Sequence, residues 1–89
     1  MYYTYVLASL KSKRLYVGYT KDLKQRLNEH NTGIGGKYSE KNKPFKLIFY
    51  EAFLAKKDAH KQEKFYKTGY GRQVLKEKIE YSLLDCRVV

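Results

Sequence analysis

Cysteine is almost missing from this 89-residue chain: Cys86 stands alone. Neither an internal disulfide nor a cysteine-built zinc site can therefore form. Proline occurs once, as Pro44, and tryptophan not at all. No stretch approaches the roughly 18 consecutive apolar residues of a membrane span. The chain opens on a strand-like segment rather than on the apolar core of a signal peptide. The expected location is the cytoplasm, a reducing compartment. Acidic residues are also scarce: 9 Asp and Glu face 19 Lys and Arg, for a formal charge of +10. Bases outnumber acids in both halves of the chain, which excludes a basic tail on a neutral body. A basic globule remains, and its expected partner is a polyanion such as nucleic acid.

What is present supports folding. The chain is 43% hydrophobic and 16% aromatic, which excludes disorder and supplies one modest core. A single domain over residues 1–89 is expected. Ten tyrosines stand out; a tyrosine serves either a core or a base-stacking surface.

Tyr2 to Ala8 and Leu15 to Tyr19 are rich in β-formers and read as two strands of a hairpin joined by a short polar turn. A turn centred between Leu10 and Lys11 places Tyr5 opposite Tyr16, with both phenols on one face. Thr20 and Asp22 offer a helix start, and Lys21 to Asn31 carries Leu23 and Leu27 at i, i+4, flanked by Arg26 and His30. Residues 33–44 read as a basic, glycine-rich loop. Gly36-Lys37 is not a phosphate-binding loop, because Tyr38 replaces the required Ser or Thr and the segment follows a helix.

Leu47 to Leu54 is nearly all apolar and predicts a central strand covered on both faces. Lys56 to Thr68 predicts a helix with Ala59, Glu63 and Tyr66 on its inward stripe, and Gly71 to Ile79 predicts another. A carboxylate at Glu63 on a core-facing stripe is an anomaly, since burying it unpaired is costly. The last ten residues carry no clear signal. The fold class is α/β (α+β): a small three-stranded, mainly antiparallel sheet flanked by about three helices.

Taken singly, these polar residues have ordinary explanations. Arg26 is a solvated helix charge, His30 a surface or capping residue, and Glu63 a partner for Lys67 at i+4. His60, three residues before Glu63, is expected to face solvent. Taken together they form a pattern. Tyr3-Thr4-Tyr5, ten intervening residues, then Tyr16-Val17-Gly18, followed by Arg26, His30-Asn31 and Glu63, resembles the GIY-YIG nucleases over roughly residues 2–80. The likeness is to the small stand-alone members and to the N-terminal nuclease domain of the ABC excinuclease, a DNA-repair enzyme.

That resemblance implies a role for each matching residue. Tyr16 assists deprotonation of the attacking water, and Tyr5 orients water or phosphate beside it. Arg26 neutralises the scissile phosphate, and His30 hydrogen-bonds within the site. Glu63 holds one divalent cation, Mg²⁺ or Mn²⁺. The residue types suit phosphodiester hydrolysis, which needs the negative charge on the phosphoryl and leaving oxygens neutralised. Two departures are visible: Tyr-Thr-Tyr replaces Gly-Ile-Tyr, and residues 70–89 lack the asparagine common in the third helix region, leaving Arg72 or Gln73 in its place.

Lys21, Lys24, Lys37, Lys41, Lys43 and Arg72 are the candidate phosphate contacts. A chain of this length has no room for a separate recognition domain. Backbone-directed binding of branched, nicked or single-stranded DNA is therefore expected, with RNA left open and a partner protein as a source of specificity. Two other readings stand beside a metal-dependent endonuclease: a non-catalytic nucleic-acid-binding module of the same fold, and a basic protein-interaction adaptor.

Overall fold

A computed structural model describes residues 1–32 and 41–88. Strands β1 (Tyr2–Ser9), β2 (Leu15–Thr20) and β3 (Phe45–Phe53) form one antiparallel sheet in the order β2-β1-β3. The described helices are α1 (Leu23–Asn31), α2 (Lys56–Tyr66), α3 (Gly69–Lys78) and α4 (Glu80–Val88). The α+β class is as expected, and the final segment that carried no sequence signal forms α4.

The centre of the sheet is β1, not the apolar Leu47–Leu54 segment, most of which lies in β3. Thr4 to Ser9 are all buried, whereas β3 lies at an edge with Lys46, Tyr50 and Ala52 exposed. Two hydroxyls make this possible. Thr4 donates to the Ala59 carbonyl (2.7 Å) and Ser9 to the Asn42 carbonyl (2.6 Å), so neither is buried unsatisfied.

The hairpin register also differs from expectation. Tyr5 pairs with Gly18, and Tyr16 with Leu7. The turn is centred one position later, between Lys11 and Ser12, because Ser9 Oγ accepts from both Lys11 N and Ser12 N and Lys13 takes a left-handed φ of 64°. Each strand partner moves by two residues, so Tyr5 and Tyr16 still share a face.

On that face Tyr5, Leu7 and Phe45 pack against Tyr16, Leu23, Leu27 and Leu47. The first helix begins at Leu23 rather than Lys21, because Asp22 caps it by accepting from Gln25 N (3.0 Å). Its far end is tied to β3: the Asn31 amide donates to the Phe45 carbonyl (3.1 Å) and accepts from the Phe45 N–H. The opposite face buries Val6, Tyr66, Leu75 and Ile79. There α2 stops at Tyr66, short of Thr68, whose hydroxyl caps α3 by accepting from Gly71 N (2.9 Å). A Cβ at Gly71 would run into the Phe65 carbonyl, so the close turn between these helices requires glycine. Lys37 and most of the expected glycine-rich loop lie outside the described residues. Among those described, no helix is long and apolar enough to cross a membrane.

Candidate active site

Three of the five expected catalytic residues are joined directly. Gly18 opposite Tyr5 leaves open the space over which the Tyr5 ring lies; a Cβ there would collide with the phenol. So placed, the Tyr5 hydroxyl accepts from Arg26 Nε at 3.1 Å and lies 3.4 Å from His30 Nε2. Arg26 and His30 reach it together because they stand four residues apart on α1. Arg26 also donates to Glu29 Oε1 (3.2 Å).

These contacts set the charge states. The hydrogen bond to Tyr5 makes the Arg26 guanidinium hold its proton more firmly than usual, outweighing its partial burial. Burial, with the Arg26 charge beside it, pushes His30 below the ordinary imidazole value of 6.5. His30 is therefore neutral at pH 7 and can accept a proton. With Arg26 donating to the phenol oxygen, the Tyr5 hydrogen is left to point at His30 or at a water.

Tyr16 meets this group through Phe45. The Phe45 ring is edge-on to both Tyr16 (5.1 Å) and His30 (5.3 Å). Tyr16 is half-buried and also lines a cavity at the turn end of the hairpin.

Glu63 stands apart from that cluster, on α2. Its side chain is largely shielded, with Oε2 2.9 Å from Lys67 Nζ and Oε1 3.4 Å from His60 Nδ1. His60 does not simply face solvent as expected: its ring stacks on Tyr19 of β2 at 4.0 Å. Its position three residues before Glu63 was the only signal in the sequence, and the Tyr19 contact is not local. Lys56, His60, Glu63 and Lys67 follow at i, i+4, i+7 and i+11, a single helical stripe.

The ends of that stripe locate it. Lys56 lines a groove of about 620 Å³ with Tyr19, Lys21 and Arg26, while Lys67 lines the cavity beside Leu15, Tyr16 and Val17. The stripe thus runs along β2, with Glu63 between the two openings. Arg26 and Glu63 approach the same edge strand from opposite faces of the sheet. Of the expected phosphate contacts, Lys21 lines the groove, Arg72 the cavity, and Lys24 and Lys41 are exposed; Lys43 is half-buried.

Among the described residues no three His, Cys, Asp or Glu side chains gather into a metal-binding group. Within the expected set, Glu63 is the carboxylate that could hold a cation. A hard cation takes carboxylate oxygen and completes its shell with water, so one carboxylate is an acceptable anchor. Lys67 is half-exposed and can swing off Glu63 to admit it. The donor set fits a water-rich divalent ion.

A model of the GIY-YIG catalytic domain family matches residues 1–78. The chain belongs to the GIY-YIG family. A UPF0213 protein of Streptococcus agalactiae serotype V is 48% identical over 65 residues, covering 73% of each chain. A UPF0213 protein of Pediococcus acidilactici is 43% identical over 82 residues, 90% of this chain and 79% of that one. The solution NMR structure of a UPF0213 protein from Bacillus halodurans superposes with a TM-score of 0.55 at 31% identity, covering 94% of both chains. GIY-YIG domains are nuclease-type domains that act on nucleic acids, generally with a divalent metal.

Proposed function

We propose that this GIY-YIG domain is a divalent-metal-dependent endonuclease that hydrolyses DNA phosphodiester bonds, directed by backbone and structure rather than by sequence. The observation that carries this reading is the Arg26–Tyr5–His30 group, a fixed cation and a neutral base on either side of one phenol. Such an arrangement orients a nucleophile and neutralises a phosphoryl oxygen without reorganising during the reaction.

In this reading a phosphate lies at the β2 edge against Arg26. Tyr5, its oxygen held by Arg26, directs its O–H toward water or phosphate. Tyr16 assists removal of the water proton. His30 keeps Tyr5 oriented and accepts a proton when needed. Glu63 would hold the cation, which when bound supplies positive charge to the departing oxygen. Lys21 and Arg72 hold flanking phosphates, with Lys24, Lys41 and Lys43 as outer contacts and Lys37 as a further candidate.

A nicking assay on supercoiled plasmid and on branched DNA, with Mg²⁺ or Mn²⁺, tests this. Wild type should nick; Glu63→Ala should abolish nicking, and Tyr16→Phe and Arg26→Ala should each lower it by about 100-fold or more. Salt-sensitive binding to every DNA form without cleavage would replace this reading with a binding module of the same fold.

A further inference from the structure

Apart from Tyr16 and Arg72, the lining of the cavity at the turn end of the hairpin is not used by the catalytic reading. The cavity measures about 720 Å³, within the roughly 300–1,000 Å³ of small-molecule sites. Its floor is apolar: Ala8, Leu75 and Cys86 are buried, and Leu15, Val17 and Leu83 are half-buried around them. Its rim carries five cations, Lys13, Arg14, Lys67, Arg72 and Lys76, all exposed, and among the described residues lining it there is no carboxylate. The half-buried ring of Tyr16 also lines it.

An apolar floor under a ring of cations suits neither a bare anion nor a neutral apolar molecule. Inorganic phosphate would leave the floor uncovered, and an uncharged ring would make no use of the rim charges of Lys13, Arg72 and Lys76. We infer that the cavity seats one unstacked nucleotide, its base on the floor beside Tyr16 and its phosphate on the cationic rim. This goes beyond the proposed hydrolysis, since it concerns binding and stands whether or not the chain cleaves.

Lys67 ties the seat to Glu63. Its ammonium is shared, 2.9 Å from the Glu63 carboxylate while also on the cavity rim. A phosphate in the cavity competes with Glu63 for that one cation. Occupancy therefore draws Lys67 away from Glu63.

The test is binding without metal, followed by amide chemical shifts. The probes are adenosine 5′-monophosphate, adenosine, inorganic phosphate and single-stranded oligo-dT. The monophosphate should bind at least about tenfold more tightly than adenosine or phosphate, shifting Val17, Leu83 and Cys86. Arg72→Glu with Lys76→Glu should weaken it about tenfold or more, while Lys57→Glu, a charge change outside the cavity, should not. Glu63→Gln should tighten it severalfold by releasing Lys67, and Lys67→Ala should weaken it.

Displacement of the monophosphate by oligo-dT would make the occupant a nucleotide of a strand. Retention would make it a free nucleotide. Equal affinity for phosphate and monophosphate, or shifts confined to exposed lysines, would overturn the proposal. Because no cleavage is read, that failure is distinct from failure of the nuclease reading.

Discussion

The Tyr5 hydroxyl is held between a cation that cannot lose its proton and an imidazole that resists gaining one. Tyr5→Phe should leave the fold intact by circular dichroism and lower nicking by about tenfold or more, the size of one lost charge-assisted hydrogen bond. The His30 imidazole should titrate below about 6.5 by NMR, and Arg26→Gln should raise that midpoint by removing the neighbouring charge. Nicking should accordingly hold level from pH 8 down to that midpoint and fall below it. Arg26 and His30 stand one helical turn apart, but their meeting with Tyr5, 21 and 25 residues earlier, was signalled only by the resemblance to the GIY-YIG nucleases. His60 was not: a polar residue among helix lysines looks solvated until Tyr19, forty-one positions earlier, is seen against it.

At the level of elements, β3 is fastened to α2 and α3 by a second polar group. Tyr66 donates to Glu51 Oε1 (2.6 Å), Gln62 donates to the same oxygen (2.9 Å), and Lys78 donates to the Tyr66 hydroxyl (3.0 Å). Burial alone would raise the Glu51 carboxyl, but the hydrogen bonds from Tyr66 and Gln62 and the charge of Lys78 hold it below its ordinary value of 4.5. A depressed carboxyl stabilises the fold above its unfolded value and loses that contribution as pH falls through the folded one. Urea unfolding between pH 3 and 7 should therefore show a flatter acid limb for Glu51→Gln than for wild type. Tyr66→Phe should cost about 1–3 kcal/mol at neutral pH in the same measurement. This clamp also explains why the strand order departs from what the hydropathy pattern suggests. Continuous apolarity puts the segment containing β3 at the centre, but a strand's place depends on whether its polar groups find partners. The carbonyls that accept from Thr4 and Ser9 lie 55 and 33 residues away.

Over the whole molecule, the charge of +10 favours any phosphate backbone, and in the proposed reading the groove beside β2 is where one would lie. Log affinity for DNA should fall linearly with log salt, with about −0.9 in slope for each phosphate neutralised. Arg72→Glu should reduce that slope by about 1 in a fluorescence anisotropy titration, whatever the DNA sequence. Charge and composition were readable without coordinates, since both are sums over residues. The groove and the cavity were not, because the groove needs Lys56 of α2, and the cavity α3 and α4, folded back along β2.

The strand order has a consequence in time. The central strand is synthesised before either of its partners, yet one of its edges stays open until residue 53 has been added. Pairing with β2 protects the other edge early, since only a short turn separates them. Until β3 arrives, the most deeply buried strand of the finished sheet offers a bare ladder to any neighbouring nascent chain. The interval between the hairpin and β3 is therefore when this protein is most exposed to association with its own copies.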